Sequence, residues 1–593
     1  MAYVKIPQVG AIGVIKDLST HELPNNAWTD AKNVRFLDGM AYQFYGHGQV
    51  YGTPSNIPQH VFALTISGAR YWIYLTAANS YAVTNTGGST VTTNITHATP
   101  RTGVVNQWTS TLLSGIPIVN VGDTTHVPMS WDLNTANDFI DLANWQPNSF
   151  CKSMRSYKNF LVALNVSRQP IKAITSITRV GTTATLTTTS AHGLSTGNSV
   201  YITQASPSQY NGQYTITVTG GSTFTYTMAS DPGASATGGV LYAGTVQNFP
   251  TMIRTSHPAD PGSVPVSWDP NDETKDAAEL DLSEGYGEII DGLQLRDSFM
   301  IYRTHSVVKM DYSGGRFVFS LSKVLGTSGA MNRNCIVEVD GFHVVLTDSD
   351  VIVHDGQSST SVLDKQTRRD LFVNIDADNT GKCFVFKNPY FNEVFICYPT
   401  VGSTVCTKAV VWNYKDKTVS FRDMPNVNHA NYGAVDNSLV STFDSDSAPF
   451  DSDLTLFDSG DFVPSTARVL MASSDNKLFM LDASSSFDGA IPSAYIERRG
   501  LSFGEPDKIK LIRGIRPRIV GNTGYTVLIQ VGGSNDPYAD PTYSTTMAHT
   551  IGTTVANDCF VAWRYPAVRI STGTAYQWRL DSYDIDVELA GSW

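Results

Sequence analysis

Four aspartates could supply the paired carboxylates that hydrolysis of a glycosidic bond requires. One carboxyl group acts as an acid and a second as a base or nucleophile, so the two must converge on one bond. Asp297, Asp311, Asp340 and Asp350 each fall in a short turn between apolar runs. Aspartate is a common turn residue because its side chain accepts hydrogen bonds from nearby backbone amides. The pattern therefore favours four turn residues over a catalytic pair.

Other reactive residue types also lack the spacing of catalytic motifs. The sequence contains no HExxH, GxxxxGK[ST] or GxGxxG motif. His192 and His354 are expected to be hydrogen-bonded turn residues rather than metal ligands. Six cysteines are scattered without a CxxC pair, which indicates buried thiols; a disulfide between Cys397 and Cys406 is the less favoured alternative. We expect no enzymatic activity, no cofactor and no metal.

Length and composition predict a β-rich chain of several domains. The chain has 593 residues and a formal net charge of −12. An acidic chain is unlike a nucleic-acid coat, which would be strongly basic. Abundant Thr, Ser, Gly, Tyr, Phe and Val favour strands and turns. No apolar run approaches the ~18 residues of a membrane helix, and the N-terminal segment lacks the pattern of a secretory signal. No stable membrane insertion is expected.

A unit of four short strands and tight turns recurs along the chain. It is clear at residues 293–324, 335–363 and 61–94, and weaker at 383–423 and 468–482. The middle strand is apolar throughout, as in YWIYL, FMIY and HVVL, which is typical of a strand covered on both faces. Such repeats predict the blades of a β-propeller, with irregular hairpins in a sandwich as the alternative. A hairpin within residues 31–52, turning at Asp38-Gly39, is expected to close the propeller.

Two further units complete the predicted fold. Residues 171–242 are Thr-rich and almost uncharged, and they can be removed without breaking a blade, which predicts an inserted small β-barrel. From about residue 491 the strands become longer, which predicts a C-terminal β-sandwich. The fold class is therefore all-β: a roughly six-bladed β-propeller with an inserted small β-barrel and a C-terminal β-sandwich. The expected domains are residues 1–170 (closing strands and first blades), 171–242 (insert), 243–490 (remaining blades) and 491–593 (sandwich).

The insert resembles a small β-barrel module that was first described in ubiquitin-activating enzymes and recurs in phage tail proteins. The resemblance is carried by Ala191-His192-Gly193-Leu194, Gly197, Tyr210-Asn211-Gly212 and Phe224-Thr225-Tyr226. It implies a surface decoration without chemistry.

The architecture as a whole resembles the tail nozzle proteins of short-tailed bacteriophages, which include packaged-DNA stabilisation proteins. HELPNNAWTDAKNVRFLDGMAYQFYG is similar to their opening, although Tyr42-Gln43 stand where basic residues are expected. PTMIRTSHPADPGSVPVSW and the strand from Lys510 to Ile519 are similar to later parts. The resemblance implies a structural virion protein, made in the host cytoplasm, that forms a ring in the virion tail, usually a hexamer. Its implied partners are the portal and head-to-tail adaptor proteins, tail fibres or spikes, and the double-stranded DNA that it helps to retain and then conducts during ejection.

The main alternative is a receptor-binding or depolymerase tail protein, including a glycan-active propeller. The repeated sialidase box Ser-x-Asp-x-Gly-x-Thr-Trp is missing, and there is no rung period of a trimeric β-helical spike. We therefore expect the nozzle. Six-fold symmetry of the purified particle would support a nozzle, and three-fold symmetry a spike.

Basic residues cluster in the C-terminal region as Lys508, Lys510, Arg513, Arg516 and Arg518. Strict strand alternation puts the two lysines on one face, and likewise Arg516 with Arg518. One interpretation is a solvated sheet face. The functional hypothesis is docking onto an acidic ring neighbour, which is favoured over contact with DNA phosphates because five charges are few for sustained duplex binding.

The segment 441–462 has an unusual repeat in which a Phe-Asp-Ser triplet recurs every seven residues. An exposed acidic loop is one interpretation; calcium binding is another, but the spacing lacks the Asp-x-Asp-x-Asp-Gly loop. The hypothesis is that the segment projects toward the channel, where it would narrow the bore and repel phosphate. The candidate channel residues are Phe443, Asp444, Asp446, Phe450, Asp451, Asp453, Phe457, Asp458 and Asp461.

Overall fold

The chain folds into two compact units that are built almost entirely from strands. A computed structural model describes residues 2–66, 69–86, 89–283, 287–314, 318–434, 467–574 and 576–592. The first unit comprises residues 1–96, 103–106 and 330–593, and the second comprises residues 97–102 and 107–329. The candidate channel residues between Phe443 and Asp461 lie outside the described residues.

The strands fall into three stretches of the chain. The first unit begins with β1 (Ala2–Pro7), β2 (Asp30–Lys32), β3 (Val34–Leu37), β4 (Met40–Gln43), β5 (Gly46–Gln49), β6 (His60–Ile66), β7 (Ala69–Leu75), β8 (Ser80–Thr86) and β9 (Ser89–Asn94). The second unit contains β10 (Thr109–Leu113), β11 (Ile116–Asn120), β12 (Met129–Ser130), β13 (Ile140–Asp141), β14 (Ser149–Tyr157), β15 (Phe160–Arg168), β16 (Ile171–Lys172), β17 (Ile174–Val180), β18 (Thr183–Thr188), β19 (Ser199–Ser206), β20 (Gly212–Thr215), β21 (Thr217–Gly220), β22 (Thr223–Thr227), β23 (Thr237–Tyr242), β24 (Gln247–Thr255), β25 (Ala278–Asp281), β26 (Ile289–Leu295), β27 (Ser298–Arg303), β28 (Val307–Tyr312) and β29 (Phe319–Leu325). The first unit resumes with β30 (Ile336–Val339), β31 (Phe342–Leu346), β32 (Val351–His354), β33 (Ser359–Ser361), β34 (Phe384–Asn388), β35 (Glu393–Tyr398), β36 (Cys406–Asn413), β37 (Val419–Ala434), β38 (Ala467–Ser473), β39 (Lys477–Ser484), β40 (Tyr495–Arg498), β41 (Lys508–Gly521), β42 (Thr526–Ser534), β43 (Thr542–Tyr543), β44 (Met547–Thr550), β45 (Asn557–Trp563), β46 (Tyr565–Thr572) and β47 (Trp578–Ser592).

Helical structure is limited in the described residues. The α-helix α1 spans Lys365–Asn374, and its first turn is capped by Asp364, whose side chain accepts a hydrogen bond from the Thr367 amide. Short 3₁₀ helices span Ser208–Tyr210, Ala377–Lys382 and Pro389–Phe391.

Antiparallel groups of four strands have the order expected of propeller blades. In the first unit these are β6–β9, β30–β33, β34–β37, and a last group in which the second half of β37 pairs with β38, followed by β39 and β5. In the second unit they are β10–β13, β14-β15-β24-β25 and β26–β29. The all-β propeller prediction is confirmed. The described residues contain seven such groups, where the sequence indicated about six, because the 16-residue β37 belongs to two of them.

The last blade is completed by a strand from the beginning of the chain. β5 pairs with β39, with Gln49 opposite Phe479 and His47 opposite Leu481. The predicted hairpin forms as β3–β4, and its turn residues Asp38 and Gly39 both have the positive φ that a tight two-residue turn needs. The segment 31–52 therefore supplies the closing strand as predicted, but it does so through β5. The hairpin β3–β4 instead joins β47 in the sandwich.

The sandwich is built from both ends of the chain. One sheet has the order β3-β4-β47-β41-β45 with β1 beside β47, and the other has the order β2-β40-β46-β42-β43 with β44 beside β42. Their inner faces share a core that includes Trp28, Ile512, Ile570 and Ile585. The predicted boundary at residue 491 therefore omits β1 to β4, which complete both sheets.

The insert forms a small self-contained β unit within the second unit. Its two four-stranded sheets, β16-β23-β19-β20 and β17-β18-β22-β21, surround a core that includes Leu186, Phe224 and Leu241. Within residues 171–242, all of which are described, no hydrogen-bonded closure joins the two sheets into one barrel. The two ends of the insert meet, because the amide of Ala243 donates to the carbonyl of Pro170 at 3.0 Å.

Four charged side chains are buried where the N-terminal hairpin of the sandwich meets the blade strands. Asp482 accepts hydrogen bonds from Arg35 and Arg422, each at 2.9 Å, and Arg35 Nε lies 3.1 Å from a carboxylate oxygen of Glu393. Burial raises the pKa of Glu393 to about 7, although Arg35 opposes the shift. Burial alone would also raise the pKa of Asp482, but the two guanidinium groups lower it. This cluster ties β3 to β35, β37 and β39.

Candidate assembly surface

A bulge in β41 changes which of the predicted docking residues reach solvent. The pairing of β41 shifts between Ile512 and Gly514 against both neighbouring strands. One extra residue in a strand reverses the side-chain alternation beyond it. Lys510 and Ile512 therefore point into the sandwich, whereas Arg516 and Arg518 point out of it. Arg516 and Arg518 share the exposed face as predicted, whereas Lys510 points to the opposite side of the sheet.

Lys510 is not a surface residue. Its side chain is buried, and Nζ donates to the carbonyls of Glu505 and Arg564 at 2.5 and 2.7 Å. Burial, helped by the nearby Arg564 charge, lowers the pKa of Lys510 to about 8. Its assignment to docking is corrected, because the buried ammonium joins two loops of the sandwich. Lys508 stays at the start of the strand, 3.2 Å from the Glu505 carboxylate.

Two of the exposed arginines are paired with acidic residues of the neighbouring strand. Arg513 forms an ion pair with Glu588, and Arg518 Nη2 lies 2.9 Å from Asp584 Oδ2. Both acids belong to β47, which pairs with β41 along its length. Alternating acids in the sequence DIDVE at residues 584–588 place the carboxylates on one face of that strand. The alternation of these acids is visible in the sequence, but the sequence does not show which strand lies beside them.

We call this surface the outer face of the sandwich, and it comprises the side chains that alternation directs away from the core. They are Tyr3 and Lys5 from β1, Asp584, Asp586 and Glu588 from β47, Leu511, Arg513, Arg516, Arg518 and Val520 from β41, and Asp558, Phe560 and Ala562 from β45. The set contains four cations and four carboxylates. The basic cluster in the sequence is therefore part of a surface whose charges balance.

Large apolar side chains lie exposed among these charges. Phe560 is 76% exposed, Val520 47% and Tyr3 42%. The guanidinium of Arg516 lies 4.1 Å from the centroid of the Tyr3 ring. Aromatic and arginine side chains are enriched at protein–protein interfaces and supply many of their strongest contacts. Sequence reasoning missed Tyr3 and Phe560 because neither stands out in a chain that is 11% aromatic.

Comparisons with known proteins leave the family open. No family model and no curated protein matches the chain. Similar solved structures include PorZ, a surface component of the type-IX secretion system of Porphyromonas gingivalis (8% identity, TM-score 0.31, covering 77% of this chain and 43% of PorZ). They also include apo AztD from Citrobacter koseri (11%, 0.25, 63% and 86%) and the endosialidase of phage phi92 (11%, 0.16, 90% and 70%). This chain thus spans less than half of PorZ, and TM-scores this low carry no argument about function. None of the three is a tail nozzle protein, so that resemblance stays a prediction.

Three of the four aspartates that the sequence assigned to turns do lie in turns. Asp297, Asp340 and Asp350 lie between strands, and Asp350 accepts hydrogen bonds from the Val351 amide and the Ser361 hydroxyl, each at 2.8 Å. Asp311 is the exception, because it lies within β28 and pairs with Lys309 at 2.9 Å. Its assignment to a turn is corrected.

The two histidines singled out in the sequence are buried and hydrogen-bonded. Nδ1 of His192 accepts from the Leu194 amide at 3.0 Å, and Nδ1 of His354 accepts from the Gly356 amide at 3.2 Å. Burial lowers the pKa of His354 to about 4. The thiols of Cys397 and Cys406 are free and buried, which raises their pKa values.

Across the part of the chain that the structure describes, no group of three or more His, Cys, Asp or Glu side chains is arranged to hold a metal ion. In the same residues no helix combines the length and the apolarity needed to cross a bilayer.

Proposed function

We propose that this protein is a structural subunit of a phage tail, a nozzle protein that joins its neighbours in a ring through the outer face of the sandwich. The observation that carries the proposal is the outer face itself. It combines balanced cross-strand charges with exposed Phe560 and Tyr3. A surface of this composition suits a protein partner, because charges fix the register of the contact while buried aromatic rings supply its affinity.

The ion pairs of the outer face contribute little to the stability of the single chain. The side chains of Arg513 and Glu588 are 44% and 56% exposed, and pairs in water are worth about 0–1 kcal/mol. A phenylalanine side chain gains about 1.5–3 kcal/mol when it moves from water into an apolar contact. Because Phe560 is 76% exposed in the single chain, most of that gain is made only when a partner buries the ring. The side chains of the outer face therefore contribute more free energy to association than to the folding of the single chain.

The balanced charge also fits a protein through which DNA passes. Sustained binding of a duplex requires many unpaired cations, because affinity rises with each phosphate that is neutralised. On the outer face, Arg513 and Arg518 are already committed to carboxylates, and the whole chain carries a net charge of −12. Weak attraction for DNA suits a nozzle that must release the genome.

The N-terminal segment that carries the family resemblance has a structural role in the sandwich. Trp28 is buried in the shared core, and its indole NH donates to the carbonyl of Val9. Val34 and Phe36, on β3, enter the same core. The NVRFLDG sequence therefore contributes to the core of a sandwich that needs both ends of the chain. The segment that carries the resemblance thus belongs to the domain to which we assign assembly.

Two variants test the assembly role. The triple variant Arg513→Glu, Arg516→Glu, Arg518→Glu places acids opposite Asp584 and Glu588, and Phe560→Ser removes the exposed ring without touching the ion pairs. Mass photometry of the purified chain should show loss of the ring in both variants. Arg179→Glu, which breaks the exposed pair with Asp231 in the insert, is the matched control and should assemble normally.

The Phe560→Ser variant distinguishes loss of assembly from loss of folding. The triple variant could unfold because of repulsion within its own sheet, but Phe560 is 76% exposed and its replacement should leave the melting curve unchanged. Rings of normal mass formed by folded Phe560→Ser, together with rings formed by the triple variant, would show that the outer face is not the assembly surface.

A further inference from the structure

We propose that a cleft on the other sheet of the sandwich binds an uncharged sugar. The cleft has a volume of about 370 Å³, within the ~300–1,000 Å³ range of small-molecule sites. It lies between the loop that joins β42 to β43 and the segments at residues 16–20 and 499–500. Because β42 and β43 belong to the sheet opposite the outer face, this inference does not depend on the assembly role.

Tyr538 gives the cleft an exposed aromatic wall. The side chain is 80% exposed, yet it stands on a loop whose backbone is held in place. The Tyr538 amide donates to Asp536 Oδ1 at 2.9 Å, and the Asp536 amide donates to Ser534 Oγ at 3.0 Å. An aromatic ring that is both open to water and held in a fixed position can receive a ligand with little loss of entropy.

Further contacts fix the same loop from outside it. The Thr20 hydroxyl donates to the Pro537 carbonyl at 3.1 Å, and Arg499 Nη1 donates to Asp540 Oδ1 at 2.5 Å. His21 makes ring contacts with both Tyr538 and Tyr565, at centroid distances of 6.3 and 5.8 Å. The loop is thus held by two separate parts of the chain, residues 20–21 and Arg499.

The cleft is lined by two cations, Lys16 and Arg499, and two carboxylates, Asp17 and Asp536, so its charges balance. Lys16 pairs with Asp370 at 3.1 Å. Asp17 accepts hydrogen bonds from the amides of Lys365 and Gln366 at 2.9 and 2.5 Å. Such groups present fixed donors and acceptors but no unbalanced charge, so they discriminate against ionic ligands and favour neutral hydroxyl groups.

A sugar matches both properties of the cleft. A pyranose ring has an apolar C–H face, which can stack on the Tyr538 ring, and a rim of hydroxyl groups, which can exchange hydrogen bonds with side chains such as Asp536 and Arg499. A purely apolar ligand would leave the polar side chains of the lining without added hydrogen bonds, and a charged ligand would meet as many like charges as opposite ones. The chemistry therefore selects an uncharged saccharide.

Saturation-transfer NMR on the full chain, with cellobiose, lactose and chitobiose as probes, tests the assignment. At least one of the three should receive saturation from the protein at millimolar concentration, with the strongest transfer to ring C–H protons. Tyr538→Ala should weaken binding about five- to tenfold, the value of one aromatic stacking contact. Tyr538→Phe keeps the ring and should bind within about twofold of the natural chain.

Each other outcome overturns the proposal. Absence of transfer to all three probes, or equal transfer to the natural chain and Tyr538→Ala, would show that the cleft does not hold a sugar. Tighter binding of glucuronate or N-acetylneuraminate than of the neutral probes would contradict the uncharged assignment. Phe560→Ser serves as the control for an exposed aromatic on the opposite sheet, and it should bind the probes normally even where it fails to assemble.

Discussion

Replacing Asp482 by Asn should strongly destabilise the first unit. The carboxylate is only 2% exposed and is the one acid of the buried cluster that contacts both Arg35 and Arg422 among the described residues. The amide of Asn has nearly the same shape but no charge, so two buried guanidinium groups would share a single acid, Glu393. Loss of the Asp482 charge would lower the pKa of Glu393, because repulsion from Asp482 helps to raise it, but one carboxylate cannot balance two guanidinium charges.

The magnitude follows from the environment of the pair. Removing one partner of a buried ion pair costs about 3–5 kcal/mol, because the remaining charge stays buried without compensation. The amide NH2 of Asn also replaces one acceptor oxygen, so either Arg422 or the pair Arg35 and Asn388, whose Nδ2 donates to Asp482 at 3.0 Å, loses its acceptor. Urea denaturation followed by tryptophan fluorescence should show the first unit unfolding at a clearly lower urea concentration.

A surface aspartate provides the control. Asp488 pairs with Lys477 at 2.5 Å, with side chains 38% and 34% exposed, and Asp488→Asn should cost less than about 1 kcal/mol. If Asp482→Asn changed the urea midpoint no more than Asp488→Asn does, the buried cluster would not hold the hairpin to the blades.

Three more outcomes test other parts of the fold. Because the folded-state pKa of Glu393 is raised from 4.5 to about 7, this residue should make stability fall as pH rises from 4.5 to 7; Glu393→Gln should flatten that fall in urea midpoints, and an unchanged slope would contradict the shift. The pKa of Lys510 is lowered from 10.5 to about 8, so this residue should make stability rise between pH 8 and 10.5, a rise that Lys510→Met should remove and that persistence in the variant would refute. Deleting residues 171–242 and joining Pro170 to Ala243, which already hydrogen-bond at 3.0 Å, should preserve a cooperative melting transition by circular dichroism, whereas its loss would show that the insert supports the blade.

The blades could be predicted because their pattern is local. Apolar alternation and turns such as Asp340-Gly341, with φ values of 49° and 78°, lie within a few residues of each other. The composition of the sandwich could not be predicted in the same way. β1 pairs with β47, for example Val4 with Ile585, and no local signal links segments so far apart in the chain.

The docking residues show how one local irregularity changes a surface. Arg513, Arg516 and Arg518 are exposed as their charge suggested, but the bulge at Arg513 sends Lys510 into the interior. A bulge depends on the pairing of β41 with its two neighbours, and that pairing is a property of the folded sheet. The sequence therefore indicated the exposed arginines and the shared face of Arg516 and Arg518, but not the burial of Lys510.

We propose that a neighbouring protein covers the outer face of the sandwich in the assembled tail. Cryo-electron microscopy of the purified assembly tests this role most directly. We predict a ring in which Phe560 and Arg516 lie against a neighbouring subunit. Strands β41 and β45 should both lie at that contact in the density map. A ring in which the outer face points freely into solvent would contradict the proposal.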